Sequence, residues 1–213
     1  METKLGANTY DAGYKGEYGR FREQKTDDFE NHELFADAAV FLDVRNRLNL
    51  RLQYLERVDP RGTLNLTATP TPNEWHQPSI QALYVHGAEG AQGRIEIQGG
   101  HLEKRYVNNR FATAALDRND TDYGATFLWR AMPKTYLSVA FKQSVHDYVQ
   151  PGSALNSTDT FGFIGVRWDA TALTSGRLAL GRQTKRFDSA TNPDFSALAW
   201  ERSEEHTSEL QSH

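Results

Sequence analysis

Cysteine is absent from the 213 residues, which removes a disulfide framework, a thiolate metal site and a thiol nucleophile together. Long apolar runs are missing too. The longest aliphatic and aromatic stretch extends only from Ala38 to Leu42, against the roughly 18 residues a membrane helix requires. Nor is there an excess of either charge. A formal charge of -4 and a pI near 6.0 leave no basic footprint for nucleic acid. What the chain does have is 4 Trp, 9 Tyr and 11 Phe alongside 24% charged residues and a mean hydropathy of -0.69. Aromatic and charged side chains in such amounts need an arrangement that keeps them apart.

Alternation provides it. Tyr10, Ala12, Tyr14, Gly16 and Tyr18 oppose Asp11, Gly13, Lys15 and Glu17; Leu34, Ala36, Ala38, Val40 and Leu42 oppose Glu33, Asp37 and Asp43. Leu48, Leu50, Leu52 and Tyr54 follow, against Asn49, Arg51, Gln53 and Arg57. The same period recurs about Ile80 to His86, Ile95 to Gly99, Tyr123 to Arg130, Leu137 to His146, Gly162 to Trp168 and Gly176 to Lys185, with a tenth run starting near Phe195. Connections alternate as well. Asp43 to Arg47, Gly87 to Gly93, Met132 to Lys134 and Asp169 to Ser175 are compact. Phe21 to Asn31, Val58 to Ser79, Val107 to Thr121, Tyr148 to Asn156 and Asp188 to Asp194 are mostly longer and polar. Short turns on one side, long loops on the other and a period of two predict an all-β, antiparallel up-and-down transmembrane β-barrel, about ten strands of a larger barrel.

Parity then divides the charged residues from the membrane. Lys15, Glu17, Glu33, Asp37, Asp43, Arg51, Arg94, Glu96, Arg130, Lys142, Arg167 and Arg177 are expected to face the lumen, with Phe161 and Phe163 as luminal aromatics. Trp129, Trp168 and Trp200 keep the apolar parity near short turns and are expected to form an aromatic girdle. Trp75 is the exception, in a segment with Pro60, Pro70, Pro72 and Pro78 that reads as a loop. Gly87, Gly90 and Gly93 read as a turn, since no Lys-Ser or Lys-Thr follows to make a phosphate cradle. The histidines His32, His76, His86, His101 and His146 are scattered singly, and Ser153 lacks a strand-to-helix elbow. No catalytic residue, metal or cofactor is expected, and the chain is not expected to be an enzyme.

The two ends read differently from the rest. METKLGANTY has no cationic stretch followed by an apolar one, so a signal peptide is expected to be missing from an internal segment. Arg202 to His213, RSEEHTSELQSH, matches codon by codon the translation of a common short-read sequencing adapter. The barrel segment is therefore drawn as 1–201, and 202–213 as an adapter-derived tail expected to be irregular and to make no native contact.

The segments YDAGYKGEYGRF, NHELFADAAVFLDVRNRLNL, GAEGAQGRIEI, RYVNNR, MPKTYLSVAF, DATALTSGRLALGRQTKRF and FSALAWE, in that order, resemble the outer-membrane β-barrel porin family of Gram-negative bacteria associated with exopolysaccharide or capsule operons. The resemblance implies a location in the bacterial outer membrane and a role in exopolysaccharide export or surface assembly. The partners it implies are outer-membrane lipid and a polysaccharide, with no nucleic acid. A general small-solute porin, and a structural or interaction barrel with a plugged lumen, fit the same pattern.

Overall fold

A computed structural model of the chain describes residues 2–61, 69–169 and 174–206. Eleven antiparallel strands form one sheet in simple sequence order: β1 Glu2–Leu5, β2 Asn8–Gly19, β3 Phe29–Phe41, β4 Asn46–Asp59, β5 Asn73–His86, β6 Gly93–Tyr106, β7 Arg118–Met132, β8 Thr135–Tyr148, β9 Ser157–Asp169, β10 Thr174–Phe187 and β11 Phe195–His206. All ten predicted runs are strands. The short β1, paired with β2 through Gly6 and Ala7, is an addition. Within the described residues β1 and β11 are the two edges of an open sheet.

Connections keep the predicted asymmetry. Residues 42–45, 87–92 and 133–134 make tight turns, Gly87 and Gly90 adopting positive φ (123° and 74°) that side chains with a Cβ resist. The Asp169 to Ser175 turn lies largely outside the described residues. Opposite them, 20–28 carries a 3-10 turn at Lys25–Asp27 and 107–117 carries the short helix α1, Arg110–Thr113. The proline-rich segment was read too generously as loop: β5 starts at Asn73, and Trp75 and Pro78 are within it, opposite Arg57 and Tyr54. Pro78 is not assigned a partner on β6, in keeping with its missing N–H.

Two ion pairs establish which face is concave. Arg167 Nη1 on β9 reaches Glu96 Oε1 on β6 at 3.2 Å, and Lys142 Nζ on β8 reaches Glu201 Oε1 on β11 at 2.9 Å. Each spans three strand spacings, roughly 14 Å in a flat sheet, so the sheet curls toward this face. Glycine assists the curl. A Cβ on Gly181 would lie 1.9 Å from the Gly162 carbonyl oxygen, and one on Gly165 2.5 Å from that of Leu178, so β9 and β10 approach where only glycine fits.

The outer face is apolar in a band that slides along the register. Residue 51 is the midpoint of the outer run Leu48 to Tyr54 on β4, and its rung passes through Gln81, Gly100, Asp122 and Ser144 to Asp159 on β9. On β9 the outer run Gly162 to Trp168 is centred instead at 165. A slide of about six residues over five strand steps is roughly 20 Å along the strands for roughly 24 Å across them, a tilt of roughly 40°. That is the inclination of a membrane barrel wall. Leu34, Leu50, Leu52, Ile80, Ile97, Phe127, Leu137, Val139, Ile164 and Leu180 are all exposed in this band.

The expected break at residue 201 is not a break in the backbone. β11 continues to His206, Arg202 opposite Leu178 and His206 opposite Thr174. An irregular tail was expected from 202 onward; the first five of its residues pair instead, because ladder hydrogen bonds use main-chain groups that every non-proline residue carries. Residues 207–213 of that predicted tail lie outside the described residues.

Candidate functional site: the charged inner face

Of the twelve residues expected in the lumen, eleven occupy one face, the concave one. Direct register partners share a face, and Lys15 with Glu33, Asp37 with Arg51, and Arg130 with Arg167 and Arg177 through Tyr136 all fall on it, with Glu17 4.0 Å from Arg57. Arg94, Glu96 and Lys142 join them. Asp43 does not. β3 ends at Phe41, and Asp43 sits in the turn, where Oδ1 accepts the backbone N–H groups of Arg45 (2.7 Å) and Asn46 (2.9 Å) and Oδ2 accepts from Asn46 Nδ2 (2.7 Å). An aspartate at the start of a turn is a backbone cap, and the alternation that seemed to run through Leu42 and Asp43 stops two residues earlier. The same contacts, Asn46 foremost, hold the Asp43 carboxyl below the usual carboxylate range.

Charges on the inner face are mostly paired across strands. Glu33, almost fully buried, accepts hydrogen bonds from Gln53 Nε2 (2.8 Å) and Arg57 Nη2 (3.2 Å), and Arg51 bridges it to Asp37 at 3.8 and 3.6 Å. Lys15 and Arg51 lie over the Phe35 ring at 5.2 and 5.8 Å. Phe161 and Phe163 stack, their planes 10° apart, and Lys142 approaches Phe163. The same face carries an open groove of about 640 Å³, lined by Asp11, Asp37, Asn49, Arg51, Gln81 and Gln98 among others. Amide and carboxylate groups there alternate with short side chains, leaving room for a hydrated solute.

A second network, toward the long loops, was not foreseen. Asp120 accepts from Arg118 Nε (2.9 Å) and His146 Nδ1 (2.7 Å), while Asp159 meets His146 Nε2 (3.5 Å) and Lys185 Nζ (2.8 Å). Beside it, Trp75 Nε1 and the Tyr106 hydroxyl donate to the two oxygens of Asp59 at 2.8 and 3.1 Å, and Lys104 Nζ is 3.8 Å from the Trp75 ring centre. His146 and Lys185 ended expected strand runs on the polar parity, but Asp59, Trp75, Arg118 and Asp120 had been read as loop because the strands were expected to stop at the membrane border. Extending the inner parity of β7 upward would have brought Asp120 beside His146. In the loop above, Asp117 holds α1: Oδ1 accepts from the Tyr106 N–H (2.9 Å) and Arg110 Nη1 (3.0 Å), Oδ2 from Arg110 Nη2 (2.8 Å). Burial pushes this carboxyl up, but the Arg110 and Tyr106 hydrogen bonds outweigh it and its pKa is lowered.

The expected aromatic girdle divides in two. Trp129 pairs with Gly93 near the end of β7, and Trp168, near the end of β9, lies against Gly176 of β10; the tilt brings these two to one level. Trp200 departs from it. The rung of Trp168 runs through Gly176 to Glu204, so Trp200 is four residues closer to the long loops even before the tilt is counted. On the long-loop border the tyrosines Tyr18, Tyr54 and Tyr123 are exposed on the outer face, with His76 stacked on Tyr54 and His32 edge-on to Tyr18. Trp200 belongs at this upper border.

Solved structures share the architecture. OmpTdeltaL8, a loop L8 deletion mutant of OmpT, an outer membrane protein of Vibrio cholerae, is similar to the chain with a TM-score of 0.61 and 12% identity, over 95% of this chain and 61% of that one. Outer-membrane expressed OmpT of Vibrio cholerae is similar with a TM-score of 0.58 and 14% identity, over 86% and 53%. The chain has the fold of a bacterial outer-membrane β-barrel. Between 53% and 61% of the length of these neighbours is spanned. No family model and no curated protein matches the sequence.

Proposed function

We propose that this chain is the wall of an outer-membrane barrel that supports export or surface assembly of an exopolysaccharide, without itself making or cleaving bonds. The observation that carries the reading is the inner face, where a groove of about 640 Å³ lined by amides and carboxylates lies on the same face as the stacked pair Phe161 and Phe163, Lys142 belonging to the groove and approaching Phe163. Saccharides bring hydroxyl groups for the first and apolar ring faces for the second. The family resemblance of the ordered segments supplies the exopolysaccharide. Mixed charge along the face favours a second reading, a general porin for small solutes. A structural barrel with a plugged lumen is the third.

Deleting the gene and assaying both secreted polysaccharide and uptake of small sugars separates them. Loss of surface polysaccharide with normal uptake is the expected result. Normal polysaccharide with impaired uptake would replace the export reading by the general porin, and loss of neither would leave the structural barrel.

A further inference from the structure

Arginine is concentrated at one end of the inner face. On β4, β6 and β7 the inner positions nearest the short turns hold Arg47, Arg94 and Arg130, and on β9 Arg167 is the inner position just before Asp169 at the strand end. Straight across the register they are staggered: Arg47 shares a rung with Glu96, two residues above Arg94, and Arg130 is two residues below the Arg94 rung. The strand tilt removes most of that stagger, a tilt of roughly 40° moving a fixed height by about one residue per strand. Arg47, Arg94 and Arg130 therefore stand nearly level, with Arg167 just above.

Their pairing is incomplete. Glu96 is shared by Arg94 (3.0 Å) and Arg167 (3.2 Å). Arg130 makes no ion pair among the described residues, and the buried Nε atoms of Arg47 and Arg94 have no hydrogen-bond partner. Arg94 is held over the Tyr136 ring at 5.4 Å, and Tyr136 is itself buried between Arg130 and Arg167 in the register. Among the described residues Glu96 is the carboxylate in ion-pair contact with these guanidinium groups, and it meets two of the four; unmatched N–H donors in a half-buried place are costly. A planar fork of donors matches the oxygens of a carboxylate or a phosphate. Higher on the same face the balance reverses: Glu33, Asp37, Asp120 and Asp159 are each engaged by their own cations.

We infer that this arginine row is a binding site for the oxyanion groups of an acidic saccharide. The inference rests on the saccharide reading above and narrows it to anionic chains. A polymer carrying a carboxylate on alternate sugars would meet the row as it passes the short-turn mouth, Arg130 supplying the contact that Glu96 leaves open.

The test is calorimetric titration of the full chain in detergent micelles, its strand content verified by circular dichroism. The probes are a hyaluronan tetrasaccharide, the neutral chitotetraose and inorganic phosphate. Binding of the hyaluronan fragment is expected, at least tenfold tighter than chitotetraose and weakened by salt. Arg94→Gln combined with Arg130→Gln should weaken it at least tenfold, and Arg130→Gln alone, which disturbs no ion pair, at least threefold. Lys25→Gln, in a long loop, should leave it within twofold. Failure of the folded chain to bind the hyaluronan fragment would overturn the inference, as would equal binding of chitotetraose or indifference to both arginine variants. Phosphate binding as tightly as the fragment would overturn the saccharide part. None of these outcomes depends on the export phenotype, so the inference and the proposed function can fail separately.

Discussion

Asn49 and Leu50 are neighbours on β4, yet an arginine should be tolerated at one and not at the other. Asn49 points into the groove, where its register partners are Ala39 and Leu83. Leu50 is opposite Ala38 and Ala82 on the outer face, between Leu48 and Leu52, near the middle of the apolar band. An arginine on the lipid side near the bilayer midplane costs about 2–4 kcal/mol, because its charge leaves water for hydrocarbon. At about 1.4 kcal/mol per factor of ten, this is a loss of roughly 30- to 1000-fold in the folded-to-unfolded ratio. An arginine at 49 remains in a water-filled groove and should stay within about 0.5 kcal/mol of the parent. The assay is guanidinium-dependent folding into phosphatidylcholine vesicles, followed by tryptophan fluorescence. Leu50→Arg should lower the transition midpoint clearly and Asn49→Arg should not. Equal shifts, or the larger one at 49, would refute the assignment of faces on which the rest of the structure depends.

Three further outcomes are expected. Single cysteines at Glu33 and Asp37 in vesicle-inserted protein should react with a water-soluble maleimide at least tenfold faster than cysteines at Leu34, Ala36, Ala38 and Val40; equal rates would contradict the β3 alternation. Gly181→Ala should cost about 1–3 kcal/mol in urea unfolding, since its Cβ would strike the Gly162 carbonyl, whereas Gly162→Ala meets nothing within 4 Å and should be near neutral. For Asp117 the folded pKa is lowered, so its contribution is fully present above the unfolded value of about 3.9 and is lost as pH falls through the folded value. Proteolysis within residues 107–117 should therefore be flat above about pH 5 and accelerate in acid. Asp117→Asn should abolish that acid dependence and raise cleavage at neutral pH roughly tenfold, the effect of one charge-assisted hydrogen bond of about 1.5 kcal/mol.

How much of this was legible in the sequence follows from which property each feature depends on. Side-chain parity is written directly in the order of residues, and Leu48 to Tyr54 against Asn49 to Gln53 needs no tertiary knowledge. Strand ends are not written that way. β5 reaches down to Asn73 past Pro78 because an extended strand above the membrane is held by its neighbours β4 and β6 and no longer needs an apolar side. The Asp120 and Asp159 network was missed for the same reason. Conversely Asp43 has the right parity and the wrong place, since a turn can begin in phase with the strand before it. Individual ion partners are still less legible. Glu96 meets Arg94 on its own strand and Arg167 three strands away, and the second contact exists only because the sheet curls.

The sloping band also bears on the end of β11. Continuing the slope from β9 by two strands, the membrane-facing stretch of β11 should run from about Trp200 to His206. Leu198 and Trp200 are apolar and exposed there, but the next outward position is Arg202, opposite Leu178, and the two after it in sequence are Glu204 and His206. Main-chain pairing therefore continues where the side-chain pattern required by lipid has ceased. That dissociation begins at Arg202, the residue from which the sequence was expected to be a tail. Replacing Arg202, Glu204 and His206 together by Leu, Val and Leu provides the test, because it restores the alternation without altering any backbone hydrogen bond. Removing the Arg202 charge from the outer side relieves part of the roughly 2–4 kcal/mol that an arginine costs near the midplane, less toward the border. The variant should insert into vesicles with a higher guanidinium midpoint, by about 1–3 kcal/mol in stability. An unchanged midpoint would show that residues 202–206 lie outside the membrane band and that the slope has been carried too far.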